Sequence, residues 1–232
     1  MAPHLYHDAM STGGTETAFA TRIALVRHGE ATSNIERRVG GHSAAPLTER
    51  GHRQAEAVAA RLAASFQPTQ LIASDLCRTR ETAAPIISAC AQSFTAEPEF
   101  DARWRERSLG VLDGLDFEQI EAQYGELWRL FRQGDPNAVP PQAETVDAVF
   151  ARVGAALGDL VSEHRGGRVV VISHGIAIFH AIAHIFGLGS PSRGLQVFTI
   201  VGNASVSTVR HHDARWYVEA INDRAHLAAL DD

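Results

Sequence analysis

Two cysteines, Cys77 and Cys90, are too few to build a disulfide framework in 232 residues. Both fall in one segment of helical pattern, so a reducing, cytoplasmic setting is expected. Long apolar runs are missing as well: stretches such as 169–172 fall far short of the ~20 residues that cross a bilayer. Residues 1–20 lack the basic start and apolar stretch of a secretory leader, and their Gly, Ser and Thr content reads as a disordered tail. Charge of one sign is also lacking. The 21 basic and 27 acidic residues are interspersed and leave a net charge of -6, so neither nucleic acid nor an anionic membrane is an expected partner. There is no Gly-rich loop ending in Lys-Ser or Lys-Thr, which argues against a P-loop nucleotide hydrolase. No internal repeat or linker divides the chain.

What is present is a 45% apolar composition, enough for the core of one large domain. Apolar, β-branched runs at 23–26, 71–73 and 168–172 read as buried strands. Residues 50–65, 76–89 and 145–163 carry apolar positions at helical spacing, with Thr48 a candidate N-cap for the first and Ser74 or Asp75 for the second. Residues 177–186 read as a further helix. Segments 195–200, 205–210 and 216–221 alternate like strands. The predicted fold is a three-layer α/β/α sandwich on a mostly parallel sheet, its last strands forming an antiparallel edge. The domain is expected over 21–225, between the tail at 1–20 and a polar tail at 226–232. Gly134, Pro136, Pro140 and Pro141 interrupt 110–141, where a short helix at 117–131 suggests an insertion capping the active site.

Chemistry concentrates where two strands end. Arg27-His28-Gly29-Glu30 follows the first strand and Ser173-His174-Gly175 the one ending at Ile172. Ligands of parallel α/β sheets bind at the carboxyl ends of strands, so both histidines belong to the expected crevice. One such histidine among 12 is more readily a surface loop residue; two, each followed by glycine, point to a site. Gly29 and Gly175 let backbone amides approach an oxyanion, and Arg27 and Arg78 add planar cationic forks suited to phosphate.

These residues extend into an ordered pattern. Leu25-Val26-Arg27-His28-Gly29-Glu30 with Asn34 is followed by Pro46-Leu47-Thr48, Gly51, Gln54 and Ala55. Ser74-Asp75-Leu76 comes next, with Arg78, Thr82 and Ala83, then Glu106-Arg107 with Gly110 and Gly114, and finally Ser173-His174-Gly175 and Asn203. The set resembles the histidine phosphatase superfamily, also called phosphoglycerate-mutase-like, over residues 22 to 210. The resemblance implies that His28 is a nucleophile forming a phosphohistidine, without metal or other cofactor. It implies that Arg27, Arg78 and His174 hold the phosphoryl oxygens, and that Glu106 protonates the leaving oxygen and later takes a proton from water. Asn34 and the main chain at Gly175 would add phosphate donors. The implied substrate is a small phosphorylated metabolite, whose identity the sequence does not name, nor does it reveal an oligomeric state.

Departures from the pattern are Ala31, Gly40 and Ala44 at the pocket rim, and Gln142-Ala143-Glu144-Thr145 in place of a Gly-Glu-Ser step. Glu144 is therefore read only as a supporting or fold residue. Mutases of the family carry a tyrosine three residues after the acid, where this chain has Leu109, so hydrolysis is favoured over phosphoryl return. Leu109, Leu112 and Trp104 suggest a partly apolar pocket entrance. A cofactor-dependent phosphoglycerate mutase and a catalytically inactive phospho-ligand-binding module remain the alternatives. His180 and His184, four apart on a helix, have the spacing of metal ligands but no third partner, and read as helix histidines. His211-His212-Asp213 reads as a polar turn. Cys77 beside Arg78 has the setting of an activated thiol, but it reads more simply as packing.

Overall fold

The apolar run ahead of His28 folds as strand β1 (Thr21–Arg27), covered on both faces as a central strand must be. In the computed structural model, which describes residues 20–133, 135, 138–190, 192 and 197–230, β1 lies between β4 (Arg168–Ser173) and β5 (Val206–His212). Strands β2 (Gln70–Ala73) and β3 (Glu99–Phe100) extend one side and β6 (Arg215–Asp223) the other, in the order β3-β2-β4-β1-β5-β6. The first four positions pair in parallel, and β5 and β6 pair antiparallel. This is the mostly parallel sheet with an antiparallel edge that the pattern predicts.

Alternation along the central strands separates the two helical layers. Ile23, Leu25, Val169 and Val171 face Val149, Val153 and Leu157 of α5 (Val146–Glu163), and Ala181 and Ile182 of α6 (Gly175–Ile185). Ala24, Val26, Val170 and Ile172 face Val58 and Leu62 of α2 (Glu49–Ser65) and Ala83 and Ile86 of α3 (Cys77–Ala89). Thr48 caps α2 as expected, its Oγ1 accepting from Gly51 N–H at 3.0 Å. The cap of α3 differs from expectation: Leu76 occupies that position. Among the described residues no helix is long and apolar enough to cross a membrane.

Between β3 and α5 the chain forms α4 (Phe117–Arg132), capped by Asp116 and Gln119. Its Ile120 packs with Leu112 and Val39 in a separate small core. This segment braces the loop 38–43: Gly114 N–H donates to Val39 O, Val39 N–H to Leu115 O, and His42 N–H to Asp113 Oδ2.

Several expectations are corrected. Residues 197–200, the described part of the strand expected at 195–200, form none; Val197, Phe198 and Ile200 are exposed without a pairing strand. His211 and His212 end β5 and are not a turn; the turn is Asp213–Ala214, both at positive φ. Ala225–Leu230 forms a 3-10 turn with Leu227 buried against α2 and α3, where a polar tail was expected. The sequence reading missed two short elements, β3 and the four-residue helix α1 (Thr32–Ile35). Of the tail expected at 1–20, Ala20 is buried, and residues 1–19, like Gly134, Pro136 and residues 231–232, lie outside the described residues.

Candidate active site

Strand register assembles the site. Val26 pairs with Ile172 and Arg27 with Ser173, so the two chains leave the sheet side by side at His28 and His174. His28 N–H donates to Ser173 O at 3.0 Å, and the two imidazole centroids are 5.2 Å apart. The pairing of Ala73 with Ile172 likewise brings Ser74 beside His174, Oγ to Nε2 2.8 Å. Arg78 enters from the first turn of α3.

The loop after β1 is held by buried polar groups on the flanking helices. Gly29 N–H donates to Thr82 Oγ1 and Glu30 N–H to Gln54 Oε1. A Cβ on Gly29 would sit 2.5 Å from Gly51 O, and one on Gly51 2.0 Å from Glu30 O. The reason for Gly29 is thus different from the one expected: it lets the loop touch α2, and its amide serves Thr82 and not a ligand.

Both histidines are buried, His28 at 4% exposure and His174 at 0%. His28 Nδ1 lies 2.6 Å from Gly29 O. A carbonyl only accepts, so Nδ1 carries the proton and Nε2 keeps its lone pair. Burial, then the charges of Arg78 and Arg27, hold His28 well below the ordinary imidazole pKa. Burial and Arg78 do the same to His174. Arg78, 2% exposed, is oriented by Gly41 O at 2.8 Å and Ser43 O at 3.3 Å. Arg27 Nη1 donates to Val201 O at 2.6 Å. Arg27 Nε and His174 Nδ1 are buried without a partner in the protein, the kind of group that calls for an explanation.

Glu106 completes the cluster from the loop after β3. Its Oε1 accepts from Arg107 N–H at 2.9 Å and its Oε2 from Ile176 N–H at 3.3 Å. A Cβ on Gly175 would lie 3.8 Å from both Arg27 and Glu106 Oε2, so the start of α6, the guanidinium and the carboxylate share one space. Arg27, His28, Arg78, Glu106, His174 and Gly175 are therefore brought together. Asn34 joins them indirectly: its Oδ1 accepts from Ala31 N–H and from Asn203, which also donates to His28 O and Gly29 O.

The apolar entrance is misassigned by the sequence. Trp104 and Leu112 are core residues at 1% and 0% exposure, and Leu109 packs beside Leu112. The exposed apolar side chains next to the site are instead Ile176, which follows Gly175, and Ile200, which precedes Val201. Glu144 forms a two-point ion pair with Arg152, and His42 Nε2–H donates to Glu106 O at 2.8 Å. Neither Arg152 nor His42 was singled out, because each lies in a stretch whose pattern is already explained by a helix or a loop. Cys77 is not activated: burial, then its hydrogen bond to Glu81, raises its pKa. His184 Nε2–H donates to Phe150 O, and His180 is buried beside it. Among the described residues no group of three or more His, Cys, Asp or Glu is placed to hold a metal ion.

The geometry agrees with what this chain is similar to. The model of the histidine phosphatase superfamily, branch 1, matches residues 23–224. A "Probable phosphoglycerate mutase GpmB" of Klebsiella pneumoniae is 36% identical over 214 residues, covering 90% of this chain and 95% of that protein. The Salmonella arizonae protein of the same name is 35% identical over 219 residues, covering 91% and 98%. Among solved structures, a mycobacterial glucosyl-3-phosphoglycerate phosphatase in complex with VO3 aligns with a TM-score of 0.73 at 30% identity, covering 88% of this chain and 99% of that one.

Proposed function

The chain belongs to branch 1 of the histidine phosphatase superfamily, and on that premise we propose that it hydrolyses small phosphomonoesters through a phosphohistidine at His28. The observation that carries this reading is the buried pairing of His28, neutral with Nε2 unprotonated, with two guanidiniums and a second neutral imidazole. Arg27 Nε and His174 Nδ1, buried without protein partners, are suited to receive phosphoryl oxygens. His174 donates from Nδ1 when its Nε2 accepts from the Ser74 hydroxyl. In the first step the His28 Nε2 lone pair bonds to phosphorus, the bond to the leaving oxygen breaks, and that oxygen takes the proton of the Glu106 carboxyl. In the second, water attacks phosphorus, Glu106 takes its proton, and the N–P bond breaks to release orthophosphate. No metal or cofactor is assigned to either step.

Hydrolysis is favoured over phosphoryl return because the arginines around Glu106 are already engaged. Arg105 is paired with Asp75, Arg152 with Glu144, and Arg107 donates to Glu144 O. The position of the family mutases' tyrosine is Leu109, packed into the small core. The names of relatives include both mutases and a phosphatase, so one experiment addresses both. Release of p-nitrophenol from its phosphate ester between pH 5 and 8 with EDTA is compared for wild type and His28→Ala. In parallel, wild type is given 3-phosphoglycerate with a trace of the 2,3-bisphosphate. Turnover in wild type alone, with orthophosphate forming faster than 2-phosphoglycerate, is expected. Undiminished turnover in His28→Ala overturns the nucleophile, and faster isomerisation overturns the phosphatase reading.

A further inference from the structure

The loop that carries Glu106 has almost no regular structure: a 3-10 turn at Ala102–Trp104 precedes it and another at Gly110–Leu112 follows. A general acid must be held within a few tenths of an ångström of its target, and loops are poor at this without support. That support comes from one side chain on the helix that packs against the turn at Trp104. Arg152 of α5 donates from Nη1 to Arg103 O and Arg105 O, both at 2.8 Å, and from Nη2 to Glu106 O at 2.9 Å. Its remaining donors form a fork on Glu144, Nε to Oε1 at 2.8 Å and Nη2 to Oε2 at 2.9 Å. Every N–H of the guanidinium is thereby engaged.

Glu144 grips the other side of the acid. Its Oε2 accepts from Ser108 N–H and its carbonyl from Arg107 Nε, while its own N–H donates to Ser108 O. His42 adds a second donor to Glu106 O. The main chain is thus fixed at 103, 105 and 106 by Arg152 and at 108 by Glu144, which also holds the Arg107 side chain. The ion pair is half-buried, with side-chain exposures of 17% and 25%, which limits its screening by solvent. Burial pushes the Glu144 carboxyl up, but Arg152 and the Ser108 amide outweigh it and keep it ionised below the usual range.

We propose that Arg152, locked by Glu144, is the positioning residue for the Glu106 general acid, setting where the proton is delivered to the leaving oxygen. The inference rests on the role given to Glu106 above. A lysine at 152 keeps the charge but is a single point donor, unable to span three carbonyls and a carboxylate. The effect is specific to proton delivery, because Arg152 touches none of the groups around His28 that hold the phosphoryl oxygens.

The test is the dependence of kcat/KM on leaving-group pKa across a series of aryl phosphates from dinitrophenyl to phenyl, for wild type, Glu106→Gln, Arg152→Lys and Glu144→Gln. Arg152→Lys is expected to lose roughly 10- to 100-fold on phenyl phosphate and less than about 3-fold on the dinitrophenyl ester, within the range general acids contribute. Its slope then moves toward that of Glu106→Gln. Glu144→Gln supplies the same readout if Arg152→Lys does not fold. A uniform loss across the series, or none, overturns the clamp while leaving the phosphohistidine reading intact. A wild-type slope in Glu106→Gln removes the acid assignment, and the clamp with it.

Discussion

Of the two histidine pairs built on β1, β4 and α6, only one is surrounded by the means of doing chemistry. His28 and His174 leave adjacent strands at the sheet's carboxyl edge, between Arg27, Arg78 and Glu106. His180 and His184 stand one turn apart on α6, against aromatic rings: Phe150 stacks on His184 with centroids 3.7 Å apart, and Phe179 lies 5.2 Å from His180. Burial lowers His180 to a pKa of about 4, just as it leads the depression of His28. A perturbed imidazole therefore does not distinguish the pairs. Guanidiniums with donors aimed into a shared space do, since they favour bound anion where phenyl rings favour only packing.

The largest expected effect comes from weakening that distinction at Arg78. Arg78→Lys retains the charge but loses the fork on Gly41 O and Ser43 O and, with it, the planar donor set proposed for the phosphoryl oxygens. A fall in kcat/KM of roughly 10²- to 10³-fold is expected, the cost typical of one oxyanion donor. The loss should be the same for good and poor leaving groups, because the role proposed for Arg78 is on the phosphoryl group. A loss that grows with leaving-group pKa would mean that Arg78 acts through Glu106, and the division between cradle and acid would be wrong.

The first pair was legible in the sequence as neighbours at strand ends, and the second, read as helix histidines, lies on α6; the difference has a physical reason. Strand ends announce themselves, because β-branched runs such as 169–172 stop abruptly at polar residues, and parallel register then brings those ends together. Arg27, His28, Arg78, Glu106, His174 and Gly175 converge for that reason. What held them was less visible. Arg152 lies mid-helix on a segment whose apolar stripe already accounts for its neighbours, and its partners are carbonyls 46 to 49 residues away. Backbone carbonyls leave no mark in a sequence. The same holds for Gly29, whose role is contact with Gly51. It holds for Ile200 too, where β-like patterning belongs to an exposed rim and not to a strand.

The second pair makes a structural demand that a smaller perturbation exposes. A Cβ on Gly154 would approach the His184 ring to 2.4 Å, and that ring is pinned by Phe150 on its face and by Phe150 O at Nε2. Gly154→Ala gains helix propensity of about 1 kcal/mol, but overpacking a fixed ring costs about 1–3 kcal/mol. A net destabilisation of about 1 kcal/mol in urea unfolding is expected, with kcat/KM on p-nitrophenyl phosphate changed less than about 2-fold. An equal or higher urea midpoint would show that the ring is free to move, and the helix pair would not be the rigid packing feature described.

The smallest effect separates burial from catalysis most directly. His180 is 1% exposed and its Nδ1 has no partner; burial, then the charges of His184, Arg152 and Arg107, lower it to about 4. The unfolded chain binds this proton near the ordinary ~6.5, and the folded chain only near 4. Stability from the neutral form is therefore complete above about pH 6.5 and is lost as pH falls toward 4. His28 and His174, also depressed, contribute in the same direction. His180→Leu removes one such group without touching the phosphate cradle. Its melting temperature should fall less than that of wild type between pH 7 and 5, while its hydrolysis of p-nitrophenyl phosphate keeps the wild-type pH profile. Parallel melting curves would show that His180 already binds its proton in the fold. A changed pH-rate profile would mean that the two pairs are coupled through α6, and that the boundary drawn between them encloses too little.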